Sequence, residues 1–321
     1  MLAAYATAID PNDPLSGLAV GARPDPVDRE GWTTVAVKAA ALNHHDLWSL
    51  RGVGLRADQL PMILGGDAAG VDEDGNEVVV HSVVCSPGWF GDDTLDPKRS
   101  LLSEVYDGGL AEKISVPRRN LVAKPASMSF EHAACMPTAW LTAYRMLFTK
   151  AQLQPGSIVL IQGAGGGVST ACLLLAKAAG IQTWVTSRSA EKRSAALALG
   201  ADQVFDSGAK LPSKVDAVMD NVGEQTWAHS LRSLRPGGVI VTCGATTGPA
   251  PSADLNRVFF LQLEVRGSTM GTREELERLL QFVSTNQITP AVDSTFTLTD
   301  TREGLARLES GQAIGKVVIV P

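Results

Sequence analysis

Two periodicities divide the chain. In the first third, apolar residues come in short runs: residues 32–40 (WTTVAVKAA) predict a strand, and 78–85 (VVVHSVVC) predict one continuous apolar strand. Gly, Asp and Pro punctuate between them, and helical pattern is scarce. Residues 87–99 read as an exposed loop. From Phe130 onward strands alternate with helices. A short apolar run at 158–161 is followed by glycines and then by Val168, Ala171, Cys172, Leu175 and Ala178 at helical spacing. Next come a strand at 183–186, a helix over 190–199 closed by Gly200, strands at 204–205 and 217–219, a helix over 225–234 and a strand at 239–241. This rhythm predicts a parallel sheet with helices on both faces and a ligand beyond the carboxyl ends of its strands. After Gly271 the pattern changes again, to a helix over 274–283, a strand at 294–298, a helix around 302–308 and a terminal strand at 316–320, expected to pack back on the N-terminal part.

Composition narrows the classes. At 321 residues, 45% hydrophobic and 19% charged, the chain has enough apolar surface for two domains without metal or disulfide support. A net charge of -6 disfavours nucleic acid and anionic membrane as partners. No apolar stretch approaches the roughly 20 residues that span a bilayer, and no signal-peptide pattern is present, so the expectation is cytoplasmic. Cys85, Cys135, Cys172 and Cys243 form neither a CxxC pair nor a Cys/His cluster and read as small buried hydrophobes.

The segment 161–170, IQGAGGGVST, lies between a predicted strand and a predicted helix. Glycines there let the backbone turn sharply and approach a pyrophosphate, whose charge is stabilised by free N–H groups and the helix dipole. A strict GxGxxG is absent in the useful register. A site selective for NAD would place Asp or Glu about 20 residues later, at the end of the second strand. That end here reads Thr186, Ser187, Arg188, with Lys192 and Arg193 following. A hydroxyl and a guanidinium bind a 2′-phosphate that a carboxylate would repel, so NADPH is the expected cofactor.

With these features on view, the chain resembles the medium-chain dehydrogenase/reductase superfamily, in its zinc-free quinone oxidoreductase-like branch. The carriers are AALNHHDLWSLRG (40–52), LGGDAAGV (64–71), DGGLAEKISVP (107–117), PTAWLTAYRML (137–147), IQGAGGGVSTA (161–171) and GSTMG (267–271). The resemblance implies an α/β protein with a GroES-like β-rich catalytic domain at 1–138, a Rossmann dinucleotide-binding domain at 139–268 and a C-terminal segment, 269–321, completing the first domain. It also implies a homodimer.

In zinc members a catalytic metal is held by Cys, His and Cys at the positions that here carry Asn43, Gly66 and Thr138. None of the three is a thiolate or imidazole, so no metal is expected. Without a Lewis acid, conjugated acceptors are easier than simple carbonyls, because hydride added to the β-carbon spreads its charge into an enolate. The resemblance therefore implies an NADPH-dependent reductase of quinones or activated C=C bonds, with a small-molecule substrate. The alternatives are a zinc-type alcohol dehydrogenase with relocated ligands and a non-catalytic NADP-binding sensor. Asn43 is expected to offer its amide to substrate or ribose, and His44 stands where some enoyl reductases carry a proton-donating Tyr. Cofactor contacts are expected from Thr142, Gly165, Gly166, Gly167, Val168, Ser187, Arg188, Lys192, Asn221, Gly244, Ala245, Thr246, Thr269, Met270 and Lys316.

Overall fold

A computed structural model describes residues 1–321, which divide into two compact units, Met1–Leu141 with Met270–Pro321, and Thr142–Thr269. No helix is long and apolar enough to cross a membrane.

The first unit is built on a seven-stranded sheet centred on Trp32–Ala41. That strand pairs antiparallel with Asp67–Asp72 on one side, while Lys113–Pro117 and the terminal strand Lys316–Val320 share its other edge. Val318 lies opposite Ala41, which brings the end of the chain to the start of helix α1 (His44–Leu50). Leu42, Leu47, Leu50, Leu305, Val317 and Ile319 close a core beneath it.

Two sequence expectations fail here. The apolar run at 78–85 is not one strand but two, Glu77–Val80 and Val83–Val84. Between them the Asn120 side chain donates to the carbonyls of His81 and Val83 at 2.7 and 2.8 Å, replacing strand pairing. The 87–99 segment is not merely an exposed loop, since Asp93 and Asp96 are 2% and 1% exposed. Asp93 accepts from Arg119 and from the backbone N–H of Arg273, each at 2.9 Å, and Asp96 accepts from the N–H and hydroxyl of Ser86. Buried carboxylates paid for in this way anchor a loop that composition alone marks as free.

The second unit contains six parallel strands, β1 (Ile158–Ile161), β2 (Gln182–Thr186), β3 (Gln203–Phe205), β4 (Val215–Asp220), β5 (Leu234–Thr242) and β6 (Glu264–Gly267), in the order 3-2-1-4-5-6. Helices α2 (Gly167–Ala178), α3 (Ala190–Ala198) and α4 (Glu224–Ser233) lie among them in the chain, following β1, β2 and β4. Strand order reverses beside β1, which makes the carboxyl ends of β1 and β4 the crevice where such sheets bind ligands. Leu160, Trp184, Val218, Leu231 and Ile240 form its core.

Candidate cofactor and active site

The chain leaves β1 at Gln162 and turns through Gly163, Ala164, Gly165 and Gly166 into α2. Gly163 and Gly165 have φ of 76° and 97°, the left-handed region where a side chain is strained. A Cβ at Gly163 would stand 2.9 Å from Val222, and one at Gly165 would stand 2.8 Å from the aliphatic chain of Lys192. The turn is therefore as close-packed as glycine allows. The first N–H groups of α2, from Gly167 onward, have no acceptor within the helix and carry the positive end of its dipole.

Beyond β2, two of the expected contacts and the neighbouring Arg193 separate in character. Ser187 is 8% exposed and accepts from the Ser189 N–H at 3.2 Å, which leaves its own hydroxyl proton to give. Arg188 is exposed and its guanidinium has no hydrogen bond or ion pair within the chain. Arg193 is committed, donating to the Ser187 carbonyl and pairing with Asp206, each at 2.6 Å. At the ends of β4 and β5, the Asn221 carbonyl accepts from the Thr246 hydroxyl at 3.4 Å, and a Cβ on Gly244 would lie 3.4 Å from the same carbonyl oxygen. Asn221, Gly244, Ala245 and Thr246 thus form one loop cluster on the carboxyl edge of the sheet. Thr142 and Met270 are buried, at 6% and 8% exposure, and Thr269 is exposed.

In the first unit, Asn43 caps α1 and sits in a closed polar knot. Its Nδ2 donates to Asp67 Oδ2 at 2.9 Å and to the Ala41 carbonyl at 3.3 Å, while its Oδ1 accepts from Lys316 Nζ at 2.6 Å. Lys316 Nζ also donates to the Leu42 carbonyl at 2.7 Å and to Asp67 at 3.2 Å. Both amide protons of Asn43 and all three ammonium protons of Lys316 are spent inside the unit. In this arrangement neither Asn43 nor Lys316, 2% exposed, holds a proton in reserve for a ligand. Asp46, fully buried, accepts from the Asn43 N–H at 2.8 Å and the Gly65 N–H at 3.0 Å, so it holds the local fold. Burial raises its pKa above the usual carboxylate value. His44 is exposed on the first turn of α1, with its ring 6.5 Å from that of Trp48.

Residues 29–126 match the family described as alcohol dehydrogenase GroES-like domain, and residues 167–285 match that described as zinc-binding dehydrogenase. A zinc-type alcohol dehydrogenase-like protein YogA of Leptosphaeria maculans is 30% identical over 94% of this chain and 93% of its own. This chain belongs to the medium-chain dehydrogenase/reductase superfamily. An acryloyl-coenzyme A reductase of Sulfurisphaera tokodaii is 28% identical, over 96% of this chain and 98% of its own. Among solved structures, an NAD-dependent alcohol dehydrogenase aligns with a TM-score of 0.92 at 32% identity over 100% of both chains. The 2-octenoyl-CoA carboxylase reductase CinF, in complex with NADP and 2-octenoyl-CoA, aligns with a TM-score of 0.92 at 26% identity, over 99% of this chain and 87% of its own. The protein is an oxidoreductase of this superfamily, with a GroES-like domain and a Rossmann-type domain.

The position that a zinc-holding medium-chain dehydrogenase fills with its metal can be tested from the residues present. A Cβ on Gly66 would point to within 3.6 Å of Thr138 Oγ1, and Asn43 is bound to Asp67, the neighbour of Gly66. The fold brings the three positions together, but they present an amide, a hydroxyl and no side chain at all. That donor set does not fit zinc, which takes thiolate, imidazole and carboxylate ligands. No group of three or more His, Cys, Asp or Glu side chains elsewhere is disposed to hold a metal ion. Cys85 is no substitute: burial and the Asp93 carboxylate push its thiol up to about 12.

The partner of His45 is not legible in the sequence. Its Nε2 lies 3.0 Å from Glu104 Oε1, tying α1 to the 101–106 segment. Burial pulls the His45 pKa down, but the Glu104 hydrogen bond and the charges of Asp46, Glu104 and Asp67 outweigh it and raise the value above 6.5. Burial pushes Glu104 up, yet His45 and the Leu101 N–H carry it below 4.5. A raised histidine stabilises the fold below its unfolded pKa and loses that contribution as pH rises through the folded value. A lowered glutamate contributes above its unfolded pKa and loses it as pH falls through the folded value. The pair is therefore at full strength between 4.5 and 6.5. His45→Gln should cost more stability at about pH 5.5 than at about pH 8.5, read from urea unfolding midpoints. An equal cost at both would remove the ion pair from the account.

Proposed function

We propose that this chain is an NADPH-dependent reductase of conjugated acceptors, enoyl thioesters or enones and also quinones, working without zinc. The observation that carries the reading is the donor set at Asn43, Gly66 and Thr138, where a metal-assisted enzyme needs ligands and this chain has none. Similarity to an acryloyl-coenzyme A reductase and to CinF supports the enoyl class. The unpaired Arg188 beside Ser187, with no carboxylate at the end of β2, supports NADPH.

When bound, the dinucleotide supplies a hydride to the β-carbon of the acceptor, and the resulting charge is carried by an enolate oxygen. Gly165, Gly166, Gly167 and Val168 would receive the pyrophosphate on backbone N–H groups, with Lys192 beside them. Ser187 and Arg188 would hold the 2′-phosphate, and Asn221, Gly244, Ala245, Thr246, Thr269, Met270 and Thr142 would line the remainder. His44, exposed on the first turn of α1, is the side chain assigned here to give the proton. Asn43 and Lys316 act one layer back, by fixing the strand end from which α1 and His44 start.

Similarity to a solved NAD-dependent alcohol dehydrogenase favours one second reading, oxidation of an alcohol with NAD. Purified protein mixed with NADPH and enoyl-CoA thioesters, enones and quinones should oxidise the cofactor, be indifferent to chelators and leave simple aldehydes untouched. Stoichiometric zinc with chelator-sensitive aldehyde reduction would install the alcohol dehydrogenase instead. Binding with no turnover of any acceptor would make the chain a sensor.

A further inference from the structure

We propose that Gln162 and Thr186 are positioning residues for the 2′-phosphate end of the bound dinucleotide, acting through a buried hydrogen-bond chain whose direction is set by Asp220. This rests on the NADPH reading above.

The chain starts at Asp220, the fully buried last residue of β4. Its carboxylate accepts from the N–H groups of Val222 and Gly223 at 2.9 and 3.0 Å, from the Thr226 hydroxyl, and from the Ser230 hydroxyl at 2.7 Å. A carboxylate only accepts, so Ser230 spends its single proton there. Ser230 can then only accept from Gln162 Nε2, which lies 3.0 Å away. The other Nε2 proton points to His229 Nδ1 at 2.9 Å, and His229 Nε2 in turn donates to the Ala209 carbonyl at 2.8 Å. Gln162 is left with its oxygen towards β2, where the Thr186 hydroxyl donates to it at 2.5 Å. Turning the amide over would set its oxygen against the lone pairs of Ser230. One orientation survives, and every proton in the chain has one direction.

The places joined matter more than the number of bonds. Gln162 is the residue between β1 and Gly163, Thr186 is the last residue of β2 before Ser187 and Arg188, and Asp220 precedes Asn221. Three strand ends on the carboxyl edge are thus held in fixed register by side chains that touch no solvent, Gln162 at 0% exposure and Thr186 at 1%. A buried glutamine directly after the apolar strand IVLI costs stability unless it is bonded, and its loss would leave the buried Thr186 hydroxyl without its acceptor. The polar choice ties the end of β2, from which Ser187 and Arg188 continue, to the residue that starts the glycine turn. Neither residue reaches the ligand, so each works through Ser187, Arg188 and the turn.

The test is equilibrium binding of NADPH, NADH and 2′,5′-ADP to the wild type, Thr186→Val and Thr186→Ser, with thermal unfolding of each. Thr186→Val keeps the shape and loses the hydroxyl. It should weaken NADPH and 2′,5′-ADP about tenfold and NADH far less, while Thr186→Ser stays within about twofold of wild type. Ser230→Ala, farther along the chain, should shift the same two ligands in the same direction and gives an independent reading if Thr186→Val does not fold. Wild-type affinity in Thr186→Val, or equal weakening of NADPH and NADH, would overturn the positioning role. A wild type that binds neither NADPH nor 2′,5′-ADP would instead bring down the cofactor reading on which it rests.

Discussion

Arg188→Asp should weaken NADPH about a hundredfold while changing NADH by no more than about threefold. A charge-assisted bond to a phosphate contributes about 1.5–3 kcal/mol, and replacing the cation by a carboxylate adds repulsion, so a loss near 2.7 kcal/mol is expected, about two factors of ten. The substitution is clean because Arg188 is exposed and ties nothing else together. Arg193 offers the control. It bonds the Ser187 carbonyl and Asp206, so Arg193→Ala should disturb the loop and both cofactors alike. Fluorescence titrations of the two cofactors decide the matter. Equal losses for NADPH and NADH in Arg188→Asp would take the 2′-phosphate away from this residue.

Removing Lys316 should be the most damaging single change to the fold of the first unit. Asp67 is fully buried, and one of its oxygens, Oδ1, already has no hydrogen-bond partner. Lys316→Met would leave that carboxylate without its cation, and breaking a buried pair from one side costs about 3–5 kcal/mol. Asn43 would also lose the bond that fixes its amide, so the start of α1 and His44 should loosen together. The double variant Asp67→Asn with Lys316→Met removes both charges and should regain most of the loss, because a neutral amide can still accept from Asn43. Urea unfolding of the two variants measures this. A single-variant loss below about 1 kcal/mol, or a double variant no better than the single, would show that the pair is not what holds the unit.

Much of the fold was legible because its signals are local. Helical spacing from Val168 to Ala178 predicted α2, and Gly200 closed the helix before it. The glycines at 163 and 165 could be read as a tight turn from their neighbours, and their positive φ values follow from that turn. The run at 78–85 misled for a reason outside the segment, since Asn120, about forty residues away, interrupts it. The buried Asp93 and Asp96 misled likewise, because a carboxylate in a polar stretch shows nothing in sequence of the Arg119 and Arg273 groups that will bind it.

The absent zinc ligands belong to the chain itself: Asn43, Gly66 and Thr138 cannot present thiolate or imidazole in any fold, and neither can Arg188 be mistaken for a ribose-binding carboxylate. Residue chemistry of that kind is settled by identity, so sequence alone determined it. Which groups are free to act was decided only by tertiary structure. Asn43 and Lys316, 273 positions apart, bond each other, while Gln162, Thr186, Ser230 and Asp220 come from separate elements to tie the strand ends together. A hydrogen-bonding group in water is available to any partner; once buried it belongs to the neighbour that desolvation forces on it, and only the folded chain says which neighbour that is.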